Sequence, residues 1–214
     1  MTIIIHGRAS SSNVQAVMWG AAEMGLDIDR RDVGGRFGGL DTPEFRAMTP
    51  ARLIPVMQDG DLTLFESTAI LRYLVDTYSD GPLKSDDPRT DSWATWAKGI
   101  SSGGFIMDIF WPYWRTAEEE RDMDRVIAAV RTFEDNMGRA MAHRGPAPWV
   151  LGDAMTLADI WLGHVLYRYF TLDLPHDPPA GLRDYYAQMT ARPAYQTHVM
   201  IDYSELKATR IGFQ

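Results

Sequence analysis

The sequence predicts an α/β domain followed by an all-α domain, on three observations. Within the first eighty residues, short apolar runs alternate with helix-period segments in the order β-α-β-(α)-β-β-α. A stretch rich in turn formers and charge, "SDGPLKSDDP" (79–88), then interrupts the pattern. Beyond it the apolar residues follow helical spacing. We therefore expect one domain over 1–80 and a second over 88–214.

Each element has its own justification. Ile3 to Gly7 reads as a buried strand, and Val14, Val17, Met18 and Ala21 then follow helical spacing up to a stop at Gly25. Asp27 to Val33 alternates loosely, as a half-buried strand does. "GGRFGG" (34–39) lacks both the Lys-Ser/Thr ending of a phosphate loop and the GxGxxG spacing, so it reads as a flexible connection. "TPEFRAMTP" (42–50) is a short helix or turn. "LIPVMQDGDLTLFES" holds two strands joined by a tight turn at Asp59-Gly60. A helix follows from Ser67 to Tyr78, with Ile70, Tyr73, Leu74 and Tyr78 on one face.

In the second domain, Met123, Val126, Ile127, Val130, Phe133 and Met137 form an amphipathic stripe. Leu157 to Phe170 is apolar on almost every side and predicts one helix buried within a bundle. Thr156 and Asp159 fit a capping box in "MTLADI", with Met155 and Ile160 placed for the hydrophobic staple.

Composition removes several function classes. The chain has 214 residues and no cysteine, which excludes disulfides, zinc-thiolate sites and catalysis by a thiol of its own. A formal charge of −8 argues against nucleic acid as a partner. No apolar run reaches transmembrane length, so no membrane partner is expected. The five histidines are scattered without metal-ligand spacing, and no metal is expected.

Two short stretches carry chemistry. Pro55 opens a strand where a ladder donor is normally needed. It is either an ordinary trans proline at the strand's start or a cis peptide that turns the backbone and frees the polar groups of Ile54 for a ligand. Glu66 and Ser67 begin the next helix. They are either a plain cap or a site for an amino-acid head group, with helix amides for the carboxylate and Glu66 for the ammonium.

Taken together, Ile54-Pro55 and Glu66-Ser67 in a β-α-β-β-β-α domain, a linker, and an all-α domain with "GDAMTLADI" and "ARPAYQ" resemble a cytosolic glutathione transferase. The resemblance covers essentially the whole chain. It implies a thioredoxin-like first domain, a cis Pro55, glutathione as co-substrate and a cytoplasmic homodimer. It also implies that the Ile54 backbone meets the cysteinyl part of glutathione while Glu66 and Ser67 hold its γ-glutamyl end.

Relatives differ most in the thiol-activating group, and here it falls within "GRASSSNVQAV" (7–17). Ser11 stands where serine-type members, similar to the theta and zeta classes, carry their hydroxyl; Asn13 stands at the nu-type position. Ser10 and Ser12 flank them as further glutathione contacts. The expected division of work puts the helix cap on Ser12 or Asn13 and leaves Ser11 for the thiolate. Arg52 is the candidate for the glycyl carboxylate, although Arg52-Leu53 replaces the Gly-Lys or Gly-Arg of many relatives.

A small-molecule electrophile is expected between the domains against "FIMDIFWPYWR" (105–115), with Phe110, Trp111, Trp114 and Arg115 as its lining. Pro112 is expected to kink this helix and Ser101 to Gly104 to disturb it. Two other readings are a glutathione-dependent disulfide or peroxide reductase and a non-catalytic binding protein of the same fold.

Overall fold

The structure is a computed structural model that describes residues 2–208. The chain divides into two compact units. One runs up to Lys84 and includes Pro193–Ile201; the other comprises Ser85–Arg192 and the chain from Asp202.

The first unit is built on a four-stranded mixed sheet in the order β2-β1-β3-β4. Strand β1 (Ile3–His6) is followed by α1 (Ser12–Glu23) and β2 (Ile28–Arg31), which pairs parallel to β1 with Ile3 opposite Ile28. A 3-10 turn (Gly35–Phe37) and α2 (Pro43–Met48) lead to β3 (Val56–Asp59) and β4 (Leu62–Phe65), both antiparallel to their neighbours. Helix α3 (Ser67–Tyr78) completes the motif.

Local signals explain most boundaries. Helix α1 ends in a Schellman motif: the Leu26 N–H donates to Ala21 O and the Gly25 N–H to Ala22 O, both at 3.0 Å. Gly25 supplies the left-handed φ of 71° that this stop requires. Thr42 caps α2, accepting from the Phe45 N–H, with Pro43 in the first turn.

Two expectations change in this unit. Helix α3 buries Ile70, Leu71, Leu74 and Val75, while Tyr73 and Tyr78 turn to the rim and both donate to the Asp59 carboxylate. The segment 34–39 is an ordered turn rather than a flexible connection, closed by Gly34 N–H to Gly38 O at 2.7 Å and Gly38 N–H to Gly35 O at 3.1 Å.

The second unit is helical. Helix α4 (Arg89–Gly99) runs into a π-helical stretch (Ile100–Phe110) and then α5 (Trp111–Trp114), with Pro112 in its first turn. The disturbance expected at 101–104 is therefore a change of winding that starts at Ile100. Helix α6 (Met123–Arg144) packs on the π-helical stretch through Val126, Val130, Phe133 and Met137, all buried.

The single helix expected over 157–170 is two: α7 (Leu157–Gly163) and α8 (Leu166–Thr171). The break has a local cause. His164 Nδ1–H donates to Trp161 O at 3.0 Å, occupying the acceptor that the Val165 amide would use in a continuing helix. Helix α9 (Leu182–Thr190) follows in this unit, and α10 (Pro193–His198) belongs to the first, where buried Tyr195 meets Trp19 edge-on at 4.8 Å.

At the head of α7, Asp159 has no exposed surface and accepts four hydrogen bonds. They come from Val150 N–H, Thr156 N–H, the Thr156 hydroxyl and the Tyr185 hydroxyl, at 2.7 to 3.1 Å. The capping box is thus the hub of a buried network that reaches α9. Burial pushes this carboxyl up, and the four donors oppose the shift. We expect Asp159→Ala to cost about 3 kcal/mol, because it orphans several buried donors at once; urea denaturation measures it, and a loss under 1 kcal/mol contradicts the network's role.

His164 makes a second prediction. It is fully buried, its Nε2 has no hydrogen-bond partner among the described residues, and desolvation followed by the charges of Lys98 and Arg168 pushes its pKa well below 6.5. The folded pKa then lies below the unfolded one, so protons favour the unfolded chain as pH drops below 6.5. This group contributes a slope approaching about 1.4 kcal/mol per pH unit. The stability of His164→Met should fall less steeply than that of the parent in denaturation curves taken across that range.

Candidate active site

In the first unit three segments converge on one cavity. The start of α1 contributes Asn13, the approach to β3 contributes Thr49, Ala51, Leu53, Ile54 and Pro55, and the β4–α3 junction contributes Phe65, Glu66 and Ser67. The structure thus brings together Asn13, Ile54, Pro55, Glu66 and Ser67, five residues singled out from the sequence.

The backbone shows what this cavity can hold. The Ile54–Pro55 peptide is cis. The β1–β3 ladder begins at the His6–Val56 pair, so Ile54 lies beyond it, and its N–H and C=O have no main-chain partner among the described residues. Two helices point their N-termini here, α1 through Asn13 and α3 through Glu66 and Ser67, and neither carries an acidic residue within its first turn. Each supplies the partial positive charge of a helix N-terminus. Glu66 is held at a φ of 70°, a left-handed conformation that costs a non-glycine residue about 1 kcal/mol or more, while its side chain stays exposed. The combination suits an extended, peptide-like ligand with negative charge at two points.

The serine run is divided differently from expectation. The chain enters α1 one residue earlier, making Ser11 the N-cap (φ −77°, ψ 124°), with Ser12 and Asn13 already helical. The Ser11 carbonyl accepts from the Gln15 N–H at 2.8 Å, yet its hydroxyl makes no cap hydrogen bond. Ser10 is buried. None of the three serines is among the cavity-lining residues, whereas Asn13 is.

Arg52 also lies off the cavity lining. It is exposed, has a φ of 52°, and places its guanidinium 3.6 Å from Asp41, which Arg46 approaches to 3.1 Å.

The second unit separates the four aromatic and basic candidates into two pairs. Trp111 and Arg115 line an open groove with Met107, Pro112 and Thr116, and the Arg115 guanidinium lies 4.6 Å over the Trp111 ring. Partial burial pulls the Arg115 pKa down. Phe110 is 1% exposed, beneath the Arg168 guanidinium and against Tyr203. The Trp114 indole N–H donates to Tyr203 O at 3.3 Å. Phe110 and Trp114 therefore anchor the segment around Tyr203 and do not line that groove.

Known proteins resemble this chain in sequence and in fold. The model of the glutathione S-transferase N-terminal domain matches residues 10–77. Glutathione S-transferase GstB of Escherichia coli K12 is 32% identical over 211 residues, covering 94% of this chain and all of the relative. The chain belongs to the glutathione S-transferase family. A glutathione S-transferase of Hyoscyamus muticus is 35% identical over 167 residues, 75% of this chain and 79% of its own. The crystal structure of the theta class glutathione S-transferase from Xanthomonas axonopodis pv. citri with glutathione bound superposes with a TM-score of 0.86. That structure is 38% identical and covers 94% of this chain and 98% of its own.

Several residues of this glutathione transferase's cavity had no distinguishing signal in the sequence. Leu53 and Phe65 are large apolar side chains at its edge, 64% and 38% exposed; their only mark is that they precede Ile54 and Glu66. Gly7 is a second omission. A Cβ there would lie 2.5 Å from Val14 Cγ2 and 3.3 Å from Ile54 Cβ, so strand β1 can end against both residues only with glycine. We expect Gly7→Ala to destabilise the fold by about 2 kcal/mol, because Val14 is buried and has nowhere to retreat. A lowered urea midpoint at unchanged slope is the expected readout; an unchanged midpoint contradicts the close approach.

Proposed function

We propose that this glutathione transferase holds the glutathione thiolate at the N-terminus of α1 and delivers it to small apolar electrophiles. The supporting observation is the cavity where two helix N-termini meet the main chain of Ile54, which has no main-chain partner among the described residues. Glutathione has a matching shape. Its γ-glutamyl head fits Glu66, Ser67 and the amides of α3, its cysteinyl N–H and C=O can pair with the main chain of Ile54 beyond the end of the β1–β3 ladder, and its sulfur then falls toward α1. Pro55 fixes the direction in which Ile54 presents its polar groups. Arg52, freed from Asp41, serves the glycyl carboxylate, with Ser10 and Ser12 supporting the segment around the thiol.

The energetics are sufficient without a general base. A thiol of pKa ~8.5 is only about 3% thiolate at pH 7, and the thiolate is the nucleophile. Lowering that pKa by two requires about 2.7 kcal/mol of differential stabilisation. A hydrogen bond to the charged sulfur supplies ~1.5–3 kcal/mol and a helix N-terminus ~1 kcal/mol more. Ser11, whose hydroxyl is not spent on capping, and Asn13, which lines the cavity, are the two donors we assign to the sulfur. Trp111 and Arg115 are the electrophile contacts we assign, Trp111 offering an exposed aromatic face and Arg115 a charge beside it. We read the working form as a cytoplasmic homodimer, on the family resemblance.

The test combines calorimetric glutathione binding with turnover of 1-chloro-2,4-dinitrobenzene. Saturable binding and turnover are expected. Removing the donor closest to the sulfur, by Ser11→Ala or Asn13→Ala, should lower kcat/KM at pH 6.5 by about ten- to a hundredfold. Absence of saturable binding overturns the reading. Faster turnover of a glutathione mixed disulfide than of the aryl halide would move the activity to reduction.

A further inference from the structure

Arg8 lies outside the cavity, yet three elements meet on it. Its N–H donates to Val33 O at 3.0 Å, just past the end of β2. Its carbonyl accepts from the N–H of Ser11, the N-cap of α1, at 3.1 Å. Its side chain lies across the ordered turn of residues 34–39: a Cβ on Gly35 would fall 3.1 Å from Arg8 Cδ and 3.2 Å from its Nε.

The turn in turn touches Ile54. A Cβ on Gly34 would meet Arg8 Nη1 at 3.5 Å and Ile54 Cδ1 at 3.3 Å. Gly34 and Gly35 have φ of 85° and 58°, so this path is closed to other residues by backbone conformation as well as by space. The Gly7 next to Arg8 is clamped from β2 on both sides: its N–H donates to Arg31 O at 2.8 Å, and its carbonyl accepts from Arg30 Nη1 at 2.8 Å. One continuous chain of contacts thus runs from the start of α1 through Arg8 and the glycine turn to Ile54.

We propose that Arg8 is a positioning residue that sets the distance between the start of α1 and Ile54, and thereby the pKa of bound glutathione. The inference rests on the site reading above, in which the cysteinyl part of glutathione spans those two points. A hydrogen bond to a thiolate weakens steeply with misplacement, and an error of about 1 Å can cost a hundredfold in rate. Without the guanidinium and its stem, the glycine turn loses the side chain that lies nearest to Gly35. Ile54 and the Ser11 amide then lose their common reference.

The test uses Arg8→Met, which keeps an unbranched apolar stem, Arg8→Lys, which restores the charge, and Gly35→Ala, which retains Arg8 but displaces its side chain. The ultraviolet absorbance of the thiolate in the protein–glutathione complex, titrated against pH, gives the pKa directly. Calorimetry gives the affinity for glutathione. Arg8→Met and Gly35→Ala should raise the bound thiol's pKa by about one pH unit and lower kcat/KM about tenfold at pH 6.5, with recovery at higher pH. Arg8→Lys should lie between Arg8→Met and the parent, and the affinity should change by less than about threefold. If Arg8→Met does not fold, Arg8→Lys decides. A parent protein with a lowered thiol pKa that the folded variants share overturns the inference alone, as does a loss confined to affinity. A parent protein that does not bind glutathione overturns the site reading and this inference with it.

Discussion

The first unit depends on where the β1–β3 ladder stops. Pairing begins at His6 and Val56, so the main chain of Ile54 leaves the sheet with no main-chain partner among the described residues, between the starts of α1 and α3. Buried polar groups require partners, and main-chain groups at a sheet's margin are the natural place for an extended ligand to supply them. What surrounds this point keeps it in place. Gly7 allows Ile54 to approach β1, the glycine turn of residues 34–39 supports the Ile54 side chain, and Arg8 covers that turn. Positive helix ends then give the open main chain an electrostatic direction.

The second unit has a different organising principle, a carboxylate with no exposure. Asp159 closes the capping box of α7 and holds Val150 and Tyr185 as well, so one side chain fixes a helix start, a loop and a neighbouring helix. Around it the helices are joined by aromatic contacts, and the strongly apolar segment 157–170 is broken by the imidazole of His164. The aromatic cluster on 105–115 is divided by this packing. Phe110 is taken into the interior and Trp114 is held by Tyr203, leaving Trp111 and Arg115 on the open groove.

Legibility followed the range of the interaction behind each feature. The Gly25 stop, the Asp59-Gly60 turn, the capping box at Thr156 and the hydrophobic stripe of α6 each depend on neighbours within a turn or two, and each was readable. The break at His164 was not, because it depends on one imidazole choosing a carbonyl three residues back over solvent. Tyr73 and Tyr78 share the helical spacing of core residues, and only the position of Asp59 across the unit draws their hydroxyls to the rim. The glycines of residues 34–39 looked like slack; their left-handed backbone and the side chain of Arg8 make them a fixed turn.

The sequence by itself determined the order of elements, the stop of α1 at Gly25, the pairing of an α/β unit with a helical one, and the neighbourhood of the cavity at Ile54, Pro55, Glu66 and Ser67. Through the family resemblance it also placed the candidates for the thiol-facing group among residues 10–13. The tertiary structure alone decided which of those four faces the cavity. Successive helical residues are rotated by about 100°, so the choice depends on how α1 is turned about its axis. Periodicity could not reveal that angle, because α1 is buried without interruption from Val14 to Ala21 and has no polar face to mark its outside. Packing into the core sets the rotation, and in doing so it turns Asn13 toward the cavity, buries Ser10 and leaves Ser11 as the cap.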